Sequence, residues 1–326
     1  MLPQTVDKAL TMFGVLRSKI DESLLIDGIR KIRSLWKVHR PNLNPYVKKV
    51  SIGAVDSGYN YTEYRGYALY VVNAVWIAIE QGIGEAADGI VDIDVSSSSS
   101  LELELSILSI AMELEAAKKI LDRVDILLID GSLIAKFFRL LRAKDQIFDI
   151  FIEKKLSLQD ILRELIYLST LYSKKVVFIS KNSNAKDVLG YVKGDIYYFE
   201  RYTEGQPGFS KPMVLEESRQ KGTAILAKIF SYSAKDVVGI HAKPVVTYVR
   251  LEPFSRVYRI EFVAEEGEDL ETRVKYVMDL MSPFILSGYP YPLLRADQLA
   301  RVSDSDLSRI VTVLGIVSDP YSREPL

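Results

Sequence analysis

Two aspartates stand where apolar runs end, and a carboxylate in such a place could do chemistry. Asp56 follows SIGAV and precedes Ser-Gly, while Asp130 follows DILLI and precedes Gly-Ser. In an open α/β sheet, ligands collect beyond the carboxyl ends of the strands, so two neighbouring strands that end in Asp can place two carboxylates around one cation. Asp-Ser-Gly and Asp-Gly-Ser are also ordinary turn sequences, so the pair of aspartates is a stronger indication than either one alone.

Two further carboxylates lie on segments with helical periodicity. Glu113 lies about 80° from the centre of the apolar stripe of its helix, nearer than the other glutamates there, so it should face the sheet. Asp297 shares a helix face with apolar residues, where a carboxylate must be paired, protonated or metal-bound. The alternatives are a solvated flank position for Glu113 and a first-turn aspartate favoured by the helix dipole for Asp297.

The residue inventory decides which metals these four acids could bind. The chain has no cysteine, and its only histidines, His39 and His241, are far apart in sequence. Thiolate and histidine-rich centres are therefore excluded, and oxygen ligands indicate magnesium, manganese or calcium. Carboxylate-bound metals can activate water and neutralise phosphoryl charge, which is what phosphodiester hydrolysis requires.

Two other side chains are candidates for contact with nucleic acid. Lys181 follows VVFIS and could contact a phosphate as a point charge, unless it is an ordinary loop lysine. Tyr291 could stack on a base or contact a phosphate, or it could simply pack with Tyr289 around Pro290.

Five predicted strands and one long helix must position these residues. The strands are expected at 50–58, 64–80, 89–97, 124–130 and 174–181, with a helix at 101–121 between the third and fourth. This order predicts an α/β fold with a mixed sheet flanked by helices, in which three antiparallel strands are followed by parallel ones. That is the ribonuclease H-like arrangement.

The remaining segments are expected to add to that core. Residues 1–45 read as an N-terminal helical extension, and 46–326 as the ribonuclease H-like nuclease domain. A segment at about 190–265 is expected to be an inserted β-rich addition. The chain should close on a helix at 292–302 and an apolar strand at 310–318.

Length and composition set limits on the class of protein. With 326 residues, 48% of them hydrophobic, the chain can form one enlarged domain or two packed domains. A formal net charge of -1 gives no global basic field, so any DNA-binding surface must be local. No apolar stretch reaches the roughly 18 residues of a membrane helix, and the N-terminus is not a signal peptide, so a soluble cytoplasmic protein is expected.

Taken in order, these segments resemble the NurA nucleases, which act with a HerA-type hexameric ATPase in archaeal DNA-end processing. The resemblance rests on AVDSGYN, on Glu113 in its helix, and on LLIDGSL, FISK and GYPYPLLRAD. It spans most of the chain. It implies a homodimer that docks on the ATPase and acts in DNA end resection and double-strand-break repair. The implied activity is a manganese-dependent 5′ to 3′ exonuclease on single- and double-stranded DNA, with endonuclease activity on single strands, and magnesium is the second candidate metal.

The resemblance also implies roles for individual residues. Asp56 and Asp130 match the metal-binding aspartates of the family, Glu113 its helical glutamate, and Tyr291 a tyrosine of its late Tyr-Pro motif. The family often has histidine where this chain has Asp297, which leaves the role of that position open among ligand, water-positioning and helix-turn residue.

Two other functional classes compete with a nuclease. An actin-like ATPase shares the ribonuclease H-like core but needs a late glycine-rich nucleotide site, whereas glycine occurs singly in the last quarter of this chain. A catalytically silent DNA-binding scaffold would use the same acids only to cap turns. Nucleotide binding and metal-dependent cleavage distinguish the three.

Overall fold

The structure is a computed structural model that describes residues 2–20, 26–41 and 49–316. Within these ranges the strands are β1 Trp36–Val38, β2 Ser51–Tyr64, β3 Tyr67–Glu80, β4 Gly84–Ser96, β5 Ile126–Asp130, β6 Val176–Ser180, β7 Gly208–Ser210, β8 Met213–Val214, β9 Ala242–Arg250, β10 Tyr258–Glu265, β11 Ile285–Leu286 and β12 Tyr289–Pro290. The helices are α1 Pro3–Ile20, α2 Ile26–Leu35, α3 Leu101–Ile120, α4 Leu133–Ala143, α5 Asp149–Glu153, α6 Leu158–Leu171, α7 Asp195–Tyr202, α8 Lys221–Val238, α9 Leu270–Met281, α10 Tyr291–Ala300 and α11 Asp304–Val313. None of the helices in these ranges has the length and apolar character needed to cross a membrane.

A ten-stranded mixed sheet organises the described part of the chain. Its order is β1-β7-β9-β10-β6-β5-β2-β3-β4, with β8 paired to β9. β2, β3 and β4 form an antiparallel meander, and β5 and β6 continue from β2 as parallel strands. This part confirms the predicted ribonuclease H-like arrangement. The sheet then continues through β10 and β9, which run antiparallel.

The central strands are buried on both faces because helices cover the sheet on two sides. In β5, Leu127 and Ile129 point into the core beneath α3, α4 and α6, whereas Ile126 and Leu128 point into the core beneath α9 and α10. Alternate side chains of one strand thus enter two apolar cores, which explains the unbroken apolar runs of the sequence.

A glycine next to Asp56 lets helix α10 lie close against the sheet. A Cβ at Gly58 would be only 2.7 Å from the carbonyl oxygen of Ala300, the last residue of α10. Any larger residue at position 58 would push the helix away. The Asp-Ser-Gly sequence therefore serves packing as well as the site.

The structure corrects two predictions of secondary structure near the C-terminus. The predicted strand at 310–318 is wrong where the structure describes it, because helix α11 occupies residues 304–313; residues 317 and 318 lie outside the described ranges. Ser303 and Asp306 form a capping box that starts this helix. The segment at 190–265 was expected to be β-rich, but it contains α7 and the 18-residue α8 in addition to four strands, so it is a mixed α/β segment.

The predicted N-terminal helices are present as α1 and α2. Apolar side chains of α1 such as Leu10, Phe13 and Leu16 are exposed, so the described core does not use them. The expected domain boundary at residue 45 lies outside the described ranges.

Candidate active site

Asp56 lies within β2 and not at its end, which corrects the expectation that the strand leaves the sheet there. The register explains how its carboxylate is still presented at an opening. The parallel pairing of β2 with β5 ends at Val55 and Ile129, so from Asp56 onward β2 pairs only with β3. The gap left by the end of β5 gives the Asp56 side chain access to one end of the sheet.

Asp130 is the last residue of β5, as predicted, and a tight turn follows it. Gly131 has a φ of +91°, which favours glycine, and its amide donates to the Ile179 carbonyl oxygen at 2.8 Å. Ser132 caps α4 by accepting a hydrogen bond from the Ala135 amide at 3.2 Å. The strand end and the helix start are thus fixed on either side of the Asp130 carboxylate.

A buried carboxylate strengthens this turn from the far strand β10. Glu261 accepts hydrogen bonds from the Ser132 hydroxyl at 2.7 Å and from the Ile134 amide at 3.0 Å. Arg259 donates to Glu261 at 2.6 Å and also forms an ion pair with buried Asp187. A buried charge network therefore anchors the N-terminus of α4 to the sheet.

Glu113 points from α3 toward the two aspartates and is buried, as the helical periodicity predicted. One of its carboxylate oxygens forms an ion pair with Lys136, which α4 contributes. Asp56, Asp130 and Glu113, hereafter the acidic centre, are close enough for their charges to influence one another's pKa.

Burial dominates the electrostatics of the acidic centre, and Lys136 and Lys181 offset its effect on the carboxylate pKa values only in part. Burial, reinforced by the charges of Asp130 and Glu113, raises the pKa of Asp56 to about 8. Burial raises the pKa of Glu113 to about 7, although Lys136 opposes the shift. Burial also raises the pKa of Asp130, against the opposing charges of Lys181 and Lys136.

Lys181 connects the acidic centre to the exposed rim of the site. Its ammonium lies 2.7 Å from Asp297 Oδ1 and 3.6 Å from Asp130 Oδ1. It also lies 5.3 Å from the centroid of the Tyr289 ring. Lys181 is therefore held by two carboxylates and an aromatic face, and it is not an unattached loop lysine.

Asp297 belongs to the site, but for a different reason from the one its helix pattern suggested. Its side chain is 49% exposed, so the expectation that it lies on a buried apolar face is wrong. Ala296 and Ala300 form the buried face of α10, and Asp297 lies beside it, where it reaches Lys181.

Of the two tyrosines in the GYPYP segment, Tyr291 contacts β4 and Tyr289 faces the acidic centre. The Tyr291 hydroxyl donates to Glu85 Oε2 on β4 at 3.1 Å. The Tyr289 hydroxyl is buried without a hydrogen-bond partner, and burial together with Asp130 and Asp56 raises its pKa. Sequence reasoning missed Tyr289, because the GYPYP segment offers two tyrosines and only the register of β12 determines which one faces the carboxylates.

The donor set of the acidic centre fits a hard divalent cation. Glu113 Oε1 and Asp130 Oδ1 are buried and accept no hydrogen bond. Buried, unsatisfied carboxylate oxygens are what an oxygen-ligated metal requires. Within the described ranges no three acidic or histidine side chains converge on one point, and Lys136 and Lys181 form ion pairs with Glu113 and Asp130.

A cavity of about 560 Å³ opens beside the acidic centre. Its lining includes the charged side chains of Asp130, Lys181 and Asp297 and the amide side chains of Asn182 and Asn184. The cavity gives an extended polar ligand a route to the carboxylates.

The comparisons with known proteins agree with this architecture. The NurA domain model matches residues 50–302. The DNA double-strand break repair nuclease NurA of Sulfolobus acidocaldarius is 31% identical over 301 residues, which cover 87% of this chain and 85% of that protein. The protein of the same name from Sulfurisphaera tokodaii is 27% identical over 309 residues, 88% and 86% of the two chains.

Solved structures show the same fold. The crystal structure of the NurA nuclease from Sulfolobus solfataricus matches with a TM-score of 0.72 and 22% identity over 97% of both chains. A crystal structure of NurA bound to dAMP and manganese matches with a TM-score of 0.56 and 12% identity over 95% of this chain and 96% of that one. The chain therefore belongs to the NurA family of nucleases.

Proposed function

We propose that this chain is a divalent-metal-dependent deoxyribonuclease that cleaves phosphodiester bonds at the acidic centre. The observation that carries the proposal is the proximity of buried Asp56 and Glu113 to half-buried Asp130, with one carboxylate oxygen each of Glu113 and Asp130 buried without a hydrogen bond. Such a cluster costs folding free energy unless it binds a cation. Family membership identifies DNA as the substrate class, because the curated relatives are named for DNA double-strand break repair.

The residues of the site have separate tasks in this proposal. Asp56, Glu113 and Asp130 would hold the metal, which supplies an activated water and neutralises charge on the phosphoryl group. Lys181 contacts a phosphate oxygen as a point charge, while Asp297 fixes the lysine's position. The Tyr289 ring, 5.3 Å from the Lys181 ammonium, helps to position that lysine. Tyr291 lies at the rim, where a DNA contact remains our proposal.

We propose manganese as the working cofactor, with magnesium as a second candidate. NurA crystal structures with manganese provide the support, at 12–13% identity to this chain. The oxygen-rich donor set suits both ions.

The finer proposals rest on the family resemblance. They are 5′ to 3′ exonuclease action on single- and double-stranded DNA, endonuclease action on single strands, assembly as a homodimer, and cooperation with a HerA-type hexameric ATPase in DNA end resection. We also propose a division of the chain into a helical extension at 1–45 and a nuclease domain at 46–326.

One time course tests the activity. Single- and double-stranded DNA, labelled at either the 5′ or the 3′ end, is incubated with the full chain and with manganese, magnesium or calcium. We expect cleavage with manganese, and the label released as mononucleotide reports the polarity.

The control is a matched pair of substitutions. Asp56→Asn should abolish cleavage, because the amide removes an anionic ligand, whereas Asp88→Asn on exposed β4 should leave cleavage unchanged. A wild-type chain that binds DNA but leaves it intact with every metal would instead identify a silent DNA-binding scaffold.

A further inference from the structure

Three loops with unusual backbone conformations pack against one another. Of the four non-glycine residues with positive φ in the described ranges, three lie in these loops: Glu204 at 55°, Phe254 at 60° and Ser287 at 52°. The Phe254 amide donates to the Gly205 carbonyl oxygen at 2.9 Å, and a Cβ at Gly205 would lie 2.3 Å from the Phe254 ring. Strained residues gathered in one place indicate a functional constraint.

The loop between β9 and β10 also contacts the turn that precedes Tyr289. A Cβ at Gly288 would lie 2.2 Å from Ser255 Cβ, so the two loops are packed against each other. Since Tyr289 faces the acidic centre, the β9–β10 loop is coupled to the site by direct packing.

A buried arginine holds the β9–β10 loop in place. Arg250 is only 1% exposed, and its Nε donates to the Ser255 carbonyl oxygen at 2.9 Å. Its other nitrogens donate to the Thr203 hydroxyl at 2.6 Å and to the Glu200 carbonyl oxygen at 2.9 Å. Burial of a guanidinium is favourable only when its donors are satisfied in this way. The loop is therefore a fixed support.

This fixed loop presents an aromatic ring to solvent. Phe254 is 87% exposed, although its loop is tightly bonded. Two residues later, Arg256 lines a polar cavity of about 400 Å³ together with Lys181 and Asn182. Those last two residues also line the cavity that contains Asp130, so the two cavities are adjacent.

We propose that Phe254 is a stacking platform for an unpaired base of the DNA strand, with Arg256 contacting the backbone of the same strand. The inference rests on the proposed function and adds a substrate-binding subsite to it. An aromatic ring beside a positive charge along a polar groove is how proteins bind single strands without sequence preference. A docking patch for a protein would instead require a contiguous apolar surface, whereas Phe254 is followed two residues later by Arg256, which lines the polar cavity.

The test uses the full chain carrying Asp56→Asn, which is expected to bind DNA without cleaving it. The probe is a single-stranded oligonucleotide with 2-aminopurine placed at each position in turn. Stacking quenches the fluorescence of this base, so we expect strong quenching at one position. Phe254→Asn should remove that quenching and weaken binding about 5- to 150-fold, the effect of losing one stacked base. Asparagine tolerates positive φ, so the loop keeps its conformation.

Two further variants distinguish stacking from general damage. Phe254→Tyr should retain the quenching, since it keeps the ring, and Tyr232→Ala, which removes an exposed aromatic on α8, should have no effect. Equal quenching and affinity in the Asn, Tyr and parent proteins would overturn the platform. If the chain without any substitution neither binds nor cleaves DNA with manganese, the proposed function fails instead. Loss of binding to a partner protein in Phe254→Asn, with DNA binding intact, would also overturn the proposal.

Discussion

Asp56 is the residue of this site whose ionised carboxylate most destabilises the metal-free fold. In the unfolded chain its pKa is near 3.8, and in the metal-free fold burial and neighbouring carboxylates raise that pKa to about 8. Between these values the folded state binds a proton that the unfolded state does not. The stability that protonation of Asp56 contributes is therefore fully present below pH 3.8, and it is lost as the pH rises through about 8.

We therefore expect Asp56→Asn to stabilise the metal-free protein at alkaline pH. The amide keeps the shape of the side chain and removes the desolvated charge, so the melting temperature in EDTA near pH 8 should rise by at least about 2 °C, the effect of roughly 1 kcal/mol. Thermal melts at several pH values measure this, and near pH 4 the two proteins should melt alike. Manganese should raise the melting temperature of the parent only. A variant less stable than the parent at pH 8 would contradict the assignment.

Asp297 is the residue whose role the structure changes most. Because it is half exposed and bonded to Lys181, we expect it to position the lysine and not to bind the metal. Asp297→Asn should then slow cleavage on the order of 10-fold at saturating manganese, a loss of ~1.4 kcal/mol, with the manganese midpoint nearly unchanged.

The manganese titration of Asp297→Asn, compared with that of Asp297→His, decides between the roles. A large shift of the midpoint in both variants would make Asp297 a ligand. Three indistinguishable curves for these variants and the parent would leave it a helix-turn residue. Gln298→Asn, a shortening of an exposed neighbour on the same helix, is the control.

The position of a single residue could be predicted when the sequence pattern that determines it spans only a few neighbouring residues. Asp130 and Glu113 were placed from a strand end and a helical stripe, patterns that span a few residues. The exposure of Asp297 and the inward position of Tyr289 could not be predicted, because they depend on where α10 and β12 dock against distant strands.

At the scale of elements, the contact between α10 and β2 links packing to the site. Gly58→Ala places a methyl group 2.7 Å from the Ala300 carbonyl oxygen, so α10 must shift and take Asp297 with it. Overpacking of this kind costs about 1–3 kcal/mol, and we expect a lower melting temperature together with slower cleavage. Thermal melts and cleavage rates should be compared with those of Gly222→Ala.

Gly222→Ala is a suitable control because a Cβ at that helical glycine meets nothing within 4 Å. It should be neutral or slightly stabilising. If Gly58→Ala keeps both the stability and the rate of the parent, α10 tolerates displacement and Gly58 is only a turn residue.

The errors of the sequence analysis at this scale have physical causes. The apolar run at 310–318 satisfied a strand pattern, but the Ser303 and Asp306 capping box and the helical spacing of Leu307 and Val311 determine the outcome. Gly239, with a φ of +80°, follows the last residue of α8 and caps the helix. A single glycine does not by itself show that a helix precedes it, so α8 was not predicted.

For the whole molecule, the extent of the sheet was the least predictable property. The β2–β3–β4 meander followed from short connections, and the parallel strands β5 and β6 followed from apolar runs separated by helical crossovers. The addition of β10, β9 and β7 on the far edge requires pairings between segments remote in sequence, such as Arg259 opposite Ser180. Such pairings leave little trace in any local pattern, so this side of the molecule emerged only from the structure.

The exposed apolar face of α1 leads to a prediction about assembly. Leu10, Phe13 and Leu16 are exposed, and exposed apolar stripes on a helix are favourable when a partner covers them. We expect deletion of residues 1–20 to weaken binding to a HerA-type ATPase more than it slows manganese-dependent cleavage, because the acidic centre lies on other elements.

A point substitution tests the same idea without removing the helix. Phe13→Glu should reduce co-sedimentation with the ATPase, whereas Gln4→Glu, which adds the same charge at an exposed position of α1, should not. Cleavage rates of the two variants should match that of the parent, because neither residue contacts the site. If Phe13→Glu lowers binding, cleavage and melting temperature together, α1 is part of the folded core. If it changes the oligomeric state in solution and leaves ATPase binding intact, the apolar face belongs to an interface between two copies of the chain.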